Sequence, residues 1–127
     1  MSDEITLTLP RARPFYRIAH LVLGGLAVRL DLTFEHLEDL QLALAGILDR
    51  PDEDGEVTVR VAVDGDVLRA SVGPFDPTRL ERELDRVGEE NLSLRRLLET
   101  VMDEVDVGEQ DGGSWVELRK TVAAAAG

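Results

Sequence analysis

Four valines at every second position, Val57, Val59, Val61 and Val63, constrain this chain more than any other feature. Alternation that strict is the period of a strand with one buried face, and it leaves Thr58, Arg60 and Ala62 on the other side. Asp64-Gly65-Asp66 follows, a turn of the Asp-Gly kind that joins hairpin strands, and Val67 to Val72 reads as the partner strand. The chain therefore contains an antiparallel sheet, one side of which other elements must cover.

The covering elements are legible as helices. Glu4 to Leu9 alternates as a first strand, and Pro10 and Pro14 interrupt it. From Phe15 to Leu30 the apolar positions Phe15, Ile18, Ala19, Val22, Leu23, Leu26 and Leu30 recur at helical spacing. Thr33 is a candidate N-cap for a second helix, whose buried face is predicted as Phe34, Leu37, Leu40, Leu44, Ile47 and Leu48, and which Arg50-Pro51 ends. Asp76-Pro77-Thr78 signals another helix start, with a narrow stripe of Leu80, Leu84 and Val87 that predicts a loosely held element. Leu94, Leu97, Leu98, Val101 and Met102 predict a well-buried helix, and Val105, Val107 and then Trp115 to Val122 give a closing hairpin around Gly112-Gly113. The order β, α, α, β, β, a variable helical segment, α, β, β implies the α+β class: a two-layer sandwich of a mostly antiparallel sheet with helices on one face. A single domain over residues 1–122 and a short C-terminal tail at 123–127 are expected.

Charge and composition narrow the function classes. Acidic residues outnumber basic ones by 26 to 14, and the net charge of −12 argues against nucleic-acid and anionic-membrane partners. That surplus has two readings, a solubility charge or an acidic face for a basic protein partner. With no cysteine, thiolate zinc sites and cysteine nucleophiles are excluded, and a reducing cytoplasm fits. The start Met1-Ser2-Asp3-Glu4 lacks the regions of a signal peptide, and no apolar run approaches the ~18 residues of a membrane span, so a cytoplasmic protein is expected.

Several patches, in order, resemble one family. Leu9-Pro10 before the first helix, Leu32-Thr33-Phe34-Glu35-His36-Leu37-Glu38-Asp39-Leu40-Gln41-Leu42-Ala43-Leu44, the stretch Val72-Gly73-Pro74-Phe75-Asp76-Pro77, and Leu97 to Val105 with the strand around Trp115 to Lys120 are similar to the anti-sigma-factor serine kinases. These belong to the GHKL superfamily of histidine-kinase-like ATPases, the Bergerat fold, and the similarity covers nearly the whole chain. The resemblance implies that fold, a segment from Thr78 to Glu90 corresponding to a mobile ATP lid, and protein partners of two kinds: sigma factors and small STAS-domain antagonists. It also implies a possible homodimer.

Three family motifs depart here. The resemblance places Gly46 and Arg50 where the family has a Glu and an Asn that act as base and magnesium ligand; glycine offers no base, and a guanidinium has no lone pair for a metal. The family's Asp-x-Gly-x-Gly turn, whose aspartate binds adenine, corresponds to a shortened Gly73-Pro74-Phe75-Asp76-Pro77 without that aspartate. Its Gly-x-Gly, where backbone N–H groups approach phosphates, corresponds to Leu92-Ser93-Leu94. Gly46, Arg50, Gly73, Phe75, Asp76, Leu92 and Leu94 thus mark a vestigial pocket, with no catalytic residue, no metal ligand and no cofactor expected. The expected function is a pseudo-kinase: a regulatory protein-binding domain that sequesters a partner in transcriptional or signalling control. The alternative is an active ATP- and magnesium-dependent kinase using substitutes such as Asp49 or Asp76. A third reading has Arg50 bind an anion.

Other residues attract structural readings. His20 and His36 have no Cys or second nearby His to complete a metal set, and Glu35, Glu38 and Asp39 read as a solvated acidic helix start. Ser71, Ser93 and Ser114 belong to no recognisable triad, and Trp115 is expected in the core. Arg11, Arg13 and Arg17 either neutralise the acidic body or contact a partner.

Overall fold

The computed structural model describes residues 3–30, 32–48, 55–87, 92–110 and 112–122. Arg50, Asp49 and the tail at 123–127 lie outside the described residues. Five strands and four helices follow in the order β1 (Asp3–Pro10), α1 (Arg13–Arg29), α2 (Phe34–Leu48), β2 (Glu56–Asp64), β3 (Val67–Phe75), α3 (Pro77–Asp85), α4 (Leu94–Val101), β4 (Glu104–Gln110) and β5 (Gly113–Thr121).

Every strand pair is antiparallel, and the sheet runs β1-β2-β3-β5-β4. The valine alternation sets the register: Val59 faces Leu7 on one side and Val72 on the other, so the apolar positions of three strands share one face. Gly65 and Gly112 take positive φ in the two hairpin turns, at 65° and 78°. Val57, Val59, Val61, Leu68, Val72, Val116 and Leu118 are buried on the covered face, packed in a single core with residues of all four helices. The two-layer α+β sandwich expected from the sequence is the architecture found.

The helices meet this core unequally. α1 buries Ala19 and Leu23, but Phe15 and Ile18 of its predicted face are exposed, as is Phe34 of α2 at 72%. Helical spacing names a face but not its width, and the stripe that the sheet can cover is narrower than the apolar stripe supplied. α3 departs in the other direction. Leu80 and Leu84 are fully buried, so this charged segment is a docked helix and not a loosely held one. Asp76 caps it, accepting from Thr78 N at 3.2 Å with Pro77 at its first turn, as its sequence signal predicts.

A lysine ties three elements together. Lys120, the one lysine of the chain, lies on the helix side of β5. Its Nζ donates to the Val101 carbonyl of α4 at 2.8 Å and pairs with Asp39 of α2 at 3.1 Å. Asp39, read from sequence as part of a solvated acidic face, is thus a structural counter-charge.

The face without helices carries Thr8, Thr58, Arg60, Ser71, Glu117 and Arg119. Trp115 is expected in the core and is buried, but it lies on this side of the sheet, outside the cluster under the helices. It is 5% exposed, because its indole lies across Gly73, where a Cβ would come within 2.5 Å of the ring, and the Arg60 guanidinium stacks 5.0 Å from its centroid.

Candidate functional site

The pocket positions that the resemblance implies, Gly46 and Leu94, lie where the last turns of α2 face the start of α4. Ser93 caps α4, accepting from Arg96 N at 3.1 Å, and its backbone carbonyl receives the Leu97 N–H at 3.0 Å. The cap starts the helix at Leu94 and so directs this side chain at α2. A Cβ on Gly46 would lie 2.9 Å from Leu94 Cδ1 and 3.4 Å from Leu97 Cδ2. Glycine costs a helix interior roughly 1 kcal/mol relative to alanine. Here that missing side chain is the space the two leucines occupy. Of the expected pocket positions, Gly46 and Leu94 lie together, joined by Leu97 one turn further on, whose (i, i+3) relation to Leu94 signals it.

The remaining candidates scatter. Leu92 is 38% exposed and does not join Leu94 at Gly46. The shortened motif is not a turn: β3 continues through it to Phe75, which pairs with Ser114 across a register shift. That shift lets Val72 and Phe75 both be buried while Gly73 faces the opposite side of the sheet, under Trp115. Gly73 is therefore separated from Gly46 by the sheet itself. Phe75 is buried at 3% exposure, with the Arg11 guanidinium 5.0 Å from its ring centroid. Arg11 also donates to the Pro74 carbonyl and, through its backbone N–H, to Gly55 O at 2.9 Å. This arginine, read as part of a surface cluster, fastens the end of β3. The Asp76 carboxylate is committed to its helix cap.

Around Gly46 the described contacts are thus apolar, a surface suited to packing and not to charge stabilisation. Among the described residues no three His, Asp or Glu groups converge as a metal set. No helix of the described residues is long and apolar enough to cross a membrane.

The fold with this helix pair on one face of an antiparallel sheet is that of the histidine-kinase-like ATPases. No protein-family model matches the chain. Relatives do. The serine-protein kinase RsbW of Listeria monocytogenes serovar 1/2a is 30% identical over 139 aligned positions, covering 91% of this chain and 86% of its own. The RsbW of Listeria innocua is 31% identical with the same coverage, and that of Bacillus subtilis strain 168 is 28% identical over 87% of this chain and 81% of its own. A crystal structure of the RsbU and RsbW domains of Rv1364c from Mycobacterium tuberculosis superposes with a TM-score of 0.65 at 17% identity. It covers 94% of this chain, which spans 32% of that longer one. The chain belongs to the anti-sigma-factor serine kinase family typified by RsbW.

Proposed function

We propose that this chain is a regulatory binding protein of its family that holds a partner without using ATP or magnesium. The observation that carries the reading is the seating of Leu94 and Leu97 against Gly46. A magnesium–nucleotide needs an oxygen ligand, a base for the attacking hydroxyl and backbone N–H groups open to phosphate. The position that the resemblance gives to the base has no side chain, and its space is taken by hydrocarbon. The loop that would cradle phosphate is a Ser93 cap flanked by leucines, and the adenine-binding turn is a continuous strand to Phe75. These residues do not fit a magnesium–nucleotide.

The candidate partners are those of the family, a sigma factor or a STAS-domain antagonist. Sequestration of either in the cytoplasm, by a homodimer of this pseudo-kinase, completes the reading. The alternative, an active serine kinase, is favoured by one observation, the kinase naming of relatives at 30% identity.

Calorimetric titration with ATP and ADP, with and without magnesium, separates the two. The expected result is no heat up to millimolar nucleotide, together with recovery of a sigma factor or STAS protein in a pull-down. Micromolar, magnesium-dependent binding would overturn the proposal in favour of the kinase.

A further inference from the structure

Among the described residues one buried side-chain donor has no acceptor, the indole Nε1 of Trp115. Trp115 is 5% exposed and lies on the sheet face that carries no helix. A buried N–H forfeits its hydration and normally gains a partner in exchange, so an orphan of this kind marks a place where an acceptor belongs. A second unused donor lies against it. The Arg60 guanidinium, 5.0 Å from the indole centroid, makes no hydrogen bond and no ion pair among the described residues. Stacking occupies the flat face of a guanidinium and leaves its in-plane N–H groups to donate.

Strand register explains why neither donor is served from within the chain. Arg60 stands opposite Thr6 of β1 and Ser71 of β3, and Ser71 stands opposite Glu117 of β5. Glu117 is therefore the carboxylate placed to reach Arg60 across a small residue. It leans the other way: a Cβ on Gly108 would lie 3.2 Å from its Oε1, so Gly108 of β4 makes room for the carboxylate as Gly73 of β3 makes room for the indole. Glu4 of β1 and Arg69 of β3 both face Ala62, on its two sides, and neither makes an ion pair among the described residues. Arg60 and Arg69 thus stand on one diagonal of a β2–β3 square whose other corners are the small Ala62 and Ser71, within reach of long side chains.

We propose that Arg60 and Trp115 hold a small carboxylate on the open face of the sheet. One oxygen accepts from the indole N–H and the other from the edge of the guanidinium, with Arg69 and the Ser71 hydroxyl beside them. Nε1 is covered, so the acceptor enters as the Arg60 side chain turns, and only stacking holds that side chain. Charge selects the class of ligand. A carboxylate brings a single charge and two coplanar oxygens for two donors, whereas a phosphate group carries nearly two charges toward Glu4, Glu117 and a chain already at −12. The site lies across the sheet from Gly46 and does not rest on the reading above.

Trp115 is the one tryptophan of the chain, so the ¹⁵N-labelled full chain has a single indole N–H signal that reports on this site alone. The probe is sodium acetate, titrated against sodium chloride at constant ionic strength. A saturable downfield shift of the indole proton is expected with acetate and not with chloride. Arg60→Gln is expected to weaken the binding roughly tenfold, the loss of a hydrogen bond to a charged group, and Arg69→Gln to weaken it by a smaller factor, both with unchanged circular dichroism. The proposal is overturned by an indole signal that acetate leaves in place, by an equal response in Arg60→Gln, or by tighter binding of inorganic phosphate than of acetate. An indole N–H that contacts a long-lived water which acetate does not displace would overturn it by naming water as the acceptor. A shift that follows protein concentration without acetate would do so by naming a second copy as the cover of this face.

Discussion

α2 meets a helix on each flank, and the two contacts are built differently. Against α4 it presents Gly46, and Leu94 and Leu97 fill the space down to van der Waals contact. Against α1 it presents Gln41, Ala45 and Leu48 around a hollow of about 220 Å³. The side that the family resemblance marks for a ligand is packed, while the side that it leaves unmarked is open. Close packing and an open cleft thus lie on opposite flanks of one helix.

The largest test of that difference is truncation on both flanks. Leu98→Ala, at a fully buried position of α4, is expected to destabilise the fold by about 4 kcal/mol, because the cavity left behind has no route to solvent. Leu48→Ala, in the lining of the hollow, is expected to cost about 3 kcal/mol, since its loss enlarges a space that already exists. Urea denaturation measures both, and equal losses would remove the distinction.

A smaller effect sharpens the α4 side alone. Gly46→Glu forces Leu94 from its seat and is expected to cost about 1.5 kcal/mol, the overpacking penalty offset in part by better helix propensity. In a Leu94→Ala background the same change is expected to cost about 1 kcal/mol less, a coupling that marks direct contact. Additive energies in that double-mutant cycle would mean that Leu94 does not fill the Gly46 position. The smallest effect belongs to the exposed side of α1. Leu21→Ser is expected to change stability by less than about 0.5 kcal/mol, as for an exposed side chain outside the core. A loss above about 1 kcal/mol in thermal unfolding would place Leu21 in the fold's own packing.

Much of the fold is written locally. The hairpin of β2 and β3, the Asp76-Pro77 start of α3 and both α1 and α2 each carry their own signal, because alternation, turn chemistry and caps act within a few residues. Ser93 is a case where the local signal is present, but the family resemblance makes the position a replaced phosphate loop. Its role as the cap of α4 is what aims Leu94 at Gly46. The strand through Gly73-Pro74-Phe75 carried no such signal, since glycine and proline there spell a turn, and only pairing with β5 makes it a strand.

Sequence alone determined the α+β sandwich, the antiparallel sheet and the absence of the family's side chain at position 46, for these follow from periodicity and residue identity. Tertiary structure alone decided that two leucines occupy the vacated space, that Trp115 lies on the uncovered face, that Lys120 pairs with Asp39 across three elements, and that a groove remains between α1 and α2. The reason is physical. Helical spacing tells which residues share a face, whereas how closely two faces approach depends on the volumes of side chains brought together from distant parts of the chain.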